Sequence, residues 1–448
     1  MKYSLLAVSL LISAGLHAQA PAPEGDEFQV NTYTTDQQWF PSVGAAPDGR
    51  FVVVWDSFGS GGTDTSDQSI QGQRFAADGT PMGGEFQVNT YTTDAQSSSR
   101  VAVGDDGSFV VVWTSAGSSG LDTSSTSIQG QRFNAAGSSV GGQFEINTYT
   151  GNLQVGPAVA MAPDGDFIVV WRSFGSDGTD TDSGSIQGQA FNSAGAPLGG
   201  EFQVNTYTTG MQTVPAVGVD ASGDFVVVWE SDGSSGTDTS YISVQGQRFS
   251  AAGAPVGDEF QVNTYTTNRQ LNASVGVDAA GEFVVAWMSY GSSGSDNSTY
   301  SIQGQRFDAA GARAGGEFQV NTYTTSSQFA PSVSAGGPGD FVVTWMSYGS
   351  SGSDDSAYSI QGQAYDAAGV PAGGEFEVNT YTTGNQFAPS VAHSASGEFV
   401  VAWMSYGSNS TDTSSWSVRG QRYTTGGENI FTDGFESGDT TSWTSTTQ

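Results

Sequence analysis

The residues able to act on a ligand are carboxylates and aromatics, and many of them return at a fixed interval. Asp64, Asp122, Asp180, Asp238, Asp296, Asp354 and Asp412 stand 58 residues apart, each in a Gly-x-Asp-x-Ser sequence or a close variant. One carboxylate per polar loop has two readings. It accepts loop N–H groups, or it supplies one ligand to Ca²⁺, which takes ~6–8 oxygens. Asp177 and Asp182 beside Asp180, and Asp355 beside Asp354, make those two loops the richest calcium candidates. Calcium is the one cofactor the composition suggests, and none is required.

Missing residues narrow the remaining chemistry. There is no cysteine, so disulfides and thiolate metal sites are excluded. The two histidines are His17 and His393. Ser-His-Asp catalysis would have to run through His393. That residue stands where other copies carry Ala45, Val103, Met161 and Val219, a core or channel-lining place. Histidine-rich zinc sites are excluded for the same reason. A carboxylate pair of the glycosidase kind is compatible with composition, but no acid is marked as half of a pair.

The aromatics break the repeat. Tyr290, Tyr300, Tyr348, Tyr358, Tyr406 and Trp416 belong to the last three copies, with Phe329 and Phe387; Trp39 and Phe58 belong to the first. The other copies carry Ala116, Thr126, Gly184 and Asp232 at such positions. If the copies close into a ring, the aromatics form one arc able to stack on sugars or meet a partner protein. Shared ancestry of the last three copies, which all read Trp-Met-Ser-Tyr-Gly-Ser, is the competing explanation.

These positions are held by a repeat without insertions. Phe28, Phe86, Phe144, Phe202, Phe260, Phe318 and Phe376 keep the 58-residue step, as do Trp55, Trp113, Trp171, Trp229, Trp287, Trp345 and Trp403. Each unit reads as strands. Phe51-Val52-Val53-Val54-Trp55 is a continuous β-branched run, as expected of a strand covered on both faces. Asp48-Gly49 is a hairpin turn, and helix periodicity is absent. Four strands per unit and seven units predict an all-β fold, a seven-bladed β-propeller of four-stranded antiparallel blades. A β-helix or a row of separate domains fits the repeat length less well.

The small residues of Pro41-Ser42-Val43-Gly44-Ala45 suit the crowded inner strand. The last copy then lacks a fourth strand, and 27–33 is predicted to supply it and close the ring. The tight turns fall on one face. The long loops and the Asn31–Gln38 connectors fall on the other, where binding is expected. The Trp set is predicted to fill the space between blades. Gln38 and its six equivalents are predicted to bond backbone between blades, and the Asn31 and Tyr33 sets to latch the connectors.

Residues 1–18 have a positive start, an apolar run from Leu5 to Leu16 and a small-residue end at Ala18, which predicts a secretory leader. Its removal takes the formal charge from −33 to −34, with 11 Arg against 45 Asp plus Glu. Such a surface repels nucleic acid and anionic lipid, and no apolar run outside the leader suits a membrane span. The expected layout is a leader over 1–18, a linker over 19–26, the propeller over 27–423 and an acidic tail over 424–448.

The string Gln38-x-x-Pro41-Ser42-Val43 … Asp48-Gly49-x-Phe51-Val52-Val53-Val54-Trp55 … Ile70-x-Gly72-Gln73-Arg74-Phe75 resembles a propeller-forming repeat of bacterial secreted proteins. That repeat is often appended to calcium-dependent exported proteins of the repeats-in-toxin kind. The resemblance implies no catalytic residues, and the Gly-Gly-x-Gly-x-Asp calcium nonapeptides of those proteins are not found here. Asn429-Ile430-Phe431-Thr432-Asp433-Gly434-Phe435 is similar to a short C-terminal motif of other exported bacterial proteins. The function expected is that of a secreted, monomeric, non-enzymatic recognition module for extracellular glycan or protein. A polysaccharide hydrolase or lyase and a purely structural surface protein are the alternatives.

Overall fold

A computed structural model describes residues 20–425, apart from 119, 123–124, 177, 235, 293, 297, 337–338, 351, 355–356, 408–411 and 413–414. The expected leader and almost all of the expected tail therefore lie outside the described residues. Strands β1 to β28 form seven four-stranded antiparallel sheets, one per blade. Blade 1 runs β2 (Gln38–Ala45), β3 (Phe51–Phe58), β4 (Gln68–Phe75) and β5 (Phe86–Gln87). Blades 2 to 6 are β6–β9 (96–145), β10–β13 (154–203), β14–β17 (212–261), β18–β21 (270–319) and β22–β25 (328–377). Among the described residues no helix is long and apolar enough to cross a membrane.

The apolar run of each second strand is explained by its two neighbours. Phe51, Val53 and Trp55 of β3 pack with Val400, Ala402 and Val418 of blade 7. Val52 and Val54, pointing the opposite way, pack with Val101, Val111 and Trp113 of blade 2. The core is thus seven clusters, each between two adjacent blades. All seven repeat tryptophans are fully buried. At the outer strand, the Phe86 ring covers Gly72 so closely that a Cβ there would come within 2.8 Å of it.

Outer strands vary in length. Blades 2, 3 and 4 place Val140, Leu198 and Val256 in the ladder. Blades 1, 5 and 6 carry Met82, Ala314 and Ala372 at that position, and pairing there shrinks to one isolated bridge, at Pro81, Arg313 and Pro371.

Ring closure is as expected. Blade 7 is ordered β1 (Ala22–Gln29), β28 (Trp416–Thr424), β27 (Glu398–Tyr406), β26 (Gln386–His393). Strand β1 starts inside the expected linker, because Ala22, Pro23 and Glu24 pair with Thr424, Tyr423 and Arg422 before a bulge. The seam carries ion pairs that the repeat does not. Arg419, where six other copies have glutamine, meets Glu27 at 2.8 Å, both side chains about 5% exposed or less. Arg422 pairs with Glu24.

Deleting residues 20–31 removes these pairs and leaves Arg419 buried without its anion. The expected result is a melting temperature lower by roughly 10 °C or more. Unchanged melting would mean that β1 does not close the ring.

Candidate functional site

The long-loop face is built on two repeated latches. In the first, Asp64 is buried. Its Oδ2 accepts from Asn89 Nδ2 at 2.7 Å, and its Oδ1 accepts from the Ser66 N–H and hydroxyl. Asn89 Oδ1 in turn accepts the Ile70 N–H at 2.8 Å. The Asn–Asp bond recurs at 2.7–2.9 Å for Asp122, Asp180, Asp238, Asp296 and Asp354. Asp412 is latched by Asn31 from the other end of the chain at 2.7 Å. In the second, Glu85 Oε2 accepts from Thr32 N, Thr32 Oγ1 and Tyr33 N at 2.6–3.0 Å, gripping the connector into blade 1. Glu201, Glu259, Glu317, Glu375 and Glu27 repeat this clamp.

The seven recurring Asp carboxylates therefore already hold loop to connector through Asn. Among the described residues no group of three or more His, Cys, Asp or Glu is placed to hold a metal. Asp182 donates its N–H to Asp180 and accepts from the Gly210 N–H. Asp177 and Asp355 lie outside the described residues.

The glutamines work differently from expectation. Gln38 Oε1 accepts from the Trp55 indole of its own blade at 2.9 Å, and four further blades repeat the pair. Their amide N–H groups turn to the connector, as from Gln154 to the Gly151 carbonyl at 2.9 Å. They lock strand to connector instead of blade to blade. His393 is half-buried at the end of β26, its ring 5.3 Å from Phe399. Burial pushes its imidazole down to about 4, against a hydrogen bond between the ring and the Ser334 backbone.

The aromatics meet on this face. Tyr290 contacts Tyr300 at 5.1 Å, Tyr300 contacts Phe329 at 5.5 Å, and Phe329 reaches Tyr358 at 6.1 Å. Tyr358 then contacts Tyr348 and Phe387, and Phe387 stacks on Trp416 at 5.3 Å, beside Tyr406. Tyr290, Tyr348 and Tyr406 are exposed, at 44%, 49% and 51%. Tyr300, Tyr358, Trp416, Phe329 and Phe387 are half-buried. Trp39 and Phe58 touch at 4.6 Å in blade 1, with Phe40 joining them. Among the described residues no ring contact links that group to Trp416, so the expected single arc is two. Phe40, exposed and at a positive-φ bulge (50°), was not anticipated.

A second departure from symmetry follows each repeat tryptophan. Blades 5–7 carry Met288, Met346 and Met404 there, whereas blades 1–4 carry Asp56, Thr114, Arg172 and Glu230. Asp56 is buried and accepts from Ser98 N, Ser99 N and Ser99 Oγ of blade 2 at 2.7–3.2 Å. Burial still pushes its carboxyl up to about 6. Glu230 is 5% exposed and accepts the Asn272 N–H at 2.6 Å. Burial pushes its carboxyl up to about 7, against that bond and the Arg172 charge. Comparing the seven residues after the tryptophans would have exposed this series.

Solved structures resemble the chain at low sequence identity. The chain is similar to a protein of unknown function from Dyadobacter fermentans, with TM-score 0.50 and 10% identity, covering 90% of this chain and 98% of that one. A polysaccharide lyase follows at 0.49 and 10%, covering 88% and 90%. The Penicillium chrysogenum α-L-arabinanase stands at 0.46 and 13%, covering 88% and 98%. At 10% identity the likeness to the first of these is one of fold alone. No protein-family model and no curated protein sequence matches the chain.

Glu230 gives a pH signature. The folded protein keeps this proton up to about pH 7, whereas the unfolded chain releases it near 4.5. Its stabilising contribution is full below 4.5 and is lost as pH rises through 7. Glu230→Gln cannot ionise. Its stability relative to wild type should rise between about pH 5 and pH 8 by on the order of 1–3 kcal/mol, read by denaturant melts. Parallel pH profiles would mean Glu230 is not held protonated. In the latch, Asn89→Ala should cost ~1–3 kcal/mol by leaving the Asp64 carboxylate and Ile70 N–H short of a partner.

Proposed function

We propose that this is an exported recognition module that binds an extracellular glycan along the aromatic arc of blades 5–7. The observation that carries the reading is the unbroken series of ring contacts from Tyr290 to Tyr406, with one exposed tyrosine per blade. Aromatic faces stack on the C–H faces of sugars without needing charge. The half-buried rings beneath hold the exposed ones, since Tyr300 and Phe329 pack against the core between blades 5 and 6. The latches hold the loops to the connectors, which reduces the ordering entropy that opposes binding. The acidic composition directs the choice of partner away from nucleic acid and anionic lipid.

Polysaccharide hydrolysis or elimination is the second reading. Glu230 favours it, because a buried carboxyl that keeps its proton to about pH 7 suits general acid work. Release of reducing ends or unsaturated sugars from polysaccharides, lost in Glu230→Gln, would replace the first reading with this one.

The test of the first reading is a glycan array repeated with Tyr290→Ala, Tyr348→Ala and Tyr406→Ala combined. Loss of glycan binding at unchanged melting temperature is expected. Binding that survives the triple substitution would remove the arc. A calorimetric titration with millimolar Ca²⁺ in the same experiment shows whether the ion takes part.

A further inference from the structure

The arc ends at Tyr290, whose N–H donates to the Arg269 carbonyl at 2.9 Å. Beyond Arg269 lies a cavity of about 210 Å³ where blades 4 and 5 meet, with Glu230, Asp232, Tyr241 and Arg269 in its wall. By volume it holds ~7 waters, the bulk of one sugar ring.

None of these four recurs at its position in another blade. Glu230 is replaced by Asp56, Thr114, Arg172 or methionine, and Tyr241 by Asp67, Ser125, Ser183, Thr299, Ala357 or Ser415. Arg269 is replaced by Gln37, Ala95, Leu153, Met211, Ser327 or Asn385. A residue that served the blade would recur with the blade.

The neighbourhood is adapted as well. Arg172 reaches across from blade 3 to donate to Thr213 Oγ1 of the cavity wall at 3.3 Å, its guanidinium 4.0 Å over Phe174. It lies beside Gly184, where any Cβ would come within 2.9 Å of Arg172 Nε. At the Gly184 position blades 5–7 have Tyr300, Tyr358 and Trp416. Glycine in blade 3 therefore admits an arginine where those blades have a ring.

We propose that this cavity is a terminal sugar site, taking a single uncharged pyranose at the end of a glycan laid along the arc. The proposal rests on the arc reading for the direction of the chain. Burial keeps Glu230 protonated, so the charges of the wall are balanced, Asp232 against Arg269. An anion would meet Asp232, and a cation would meet Arg269. A neutral ring rich in hydroxyls uses both, donating to carboxylate oxygen and accepting from guanidinium. Tyr241 is 60% exposed and offers a ring face for the sugar C–H groups, with Arg269 5.9 Å from it on one side. Met211 and Ile242 supply the apolar remainder of the wall.

The test is saturation-transfer NMR with the methyl glycosides of glucose, galactose, mannose and N-acetylglucosamine. At least one should receive saturation from the full chain. Tyr241→Ala, an exposed change that leaves the fold intact, should abolish the signal. Glu230→Gln keeps an acceptor for Asn272 and should weaken binding roughly tenfold. The arc triple substitution should leave glycoside binding in place while polymer binding is lost. No transfer from any of the four, or transfer that survives Tyr241→Ala, overturns the pocket. If polymer binding persists in that case, the arc stands without it. Loss of both with all sugars removes the two readings together.

Discussion

Every blade of this protein has two apolar faces, and the rest of the structure follows from that. A sheet with one greasy face can turn the other to water. These sheets cannot, because Phe51, Val53 and Trp55 face one way and Val52 and Val54 the other. A row of such sheets would leave two faces uncovered at its ends. Closing the row into a ring covers them, and blade 1 meets blade 7 through the same kind of cluster as any other pair. With no disulfide to help, this burial is the main source of cohesion. It also explains why Trp is fixed in all seven copies while the loops drift.

The polar framework then divides labour between positions that repeat and positions that do not. Asn–Asp latches and Glu clamps are the same in nearly every blade and set the loops at one height. Gln143 stands in for Glu in blade 2 and still accepts from Thr90 and Tyr91. With the loops so fixed, single positions can change without disturbing the ring. The residue after each tryptophan uses that freedom, with methionine supporting the rings of blades 5–7 and polar groups on the other side. Methionine thus underlies the larger aromatic arc, while blades 1–4 keep a different polar residue each.

Much of this was legible before any coordinates. Strand order, blade phase, closure by the first strand and burial of the tryptophans all follow from spacing and from residue size along each strand. Periodicity reports on packing, and packing made the fold. Hydrogen-bond partners were less readable. Asp64 bonds Asn89, two residues past β5, and Glu85 grips Thr32, 53 residues earlier in the connector from blade 7. Nothing in the local sequence at either residue names the other. The glutamines do reach backbone, in the connectors between blades, but their second partner, the tryptophan indole, is not readable, because an amide beside an indole looks the same in sequence as an amide beside a peptide. The arc was placed by copy number alone, which could not show that a bulge turns Phe40 outward or that Trp39 and Trp416 stay apart. Glu230 escapes such a reading because the departures from the repeat that stand out in sequence are aromatic, and a single carboxylate among 45 Asp and Glu does not.

The seam has a consequence in time. Strand β1 emerges first from the ribosome and its partner β28 is among the last parts of the ring made, so the closing contact spans almost the whole chain. The opening strand must wait, and its sequence Ala-Pro-Glu-Gly-Asp-Glu suits waiting. It carries acids and a proline and has almost no apolar side chain with which to adhere to a half-built neighbour. Only when Arg419 arrives does Glu27 acquire its buried counter-charge. The ring is closed by a contact of very high sequence separation, the kind that is slow to form. A chain cut short before blade 7 would keep an idle first strand and two uncovered faces, which marks it for disposal by the same surfaces that hold the finished ring together.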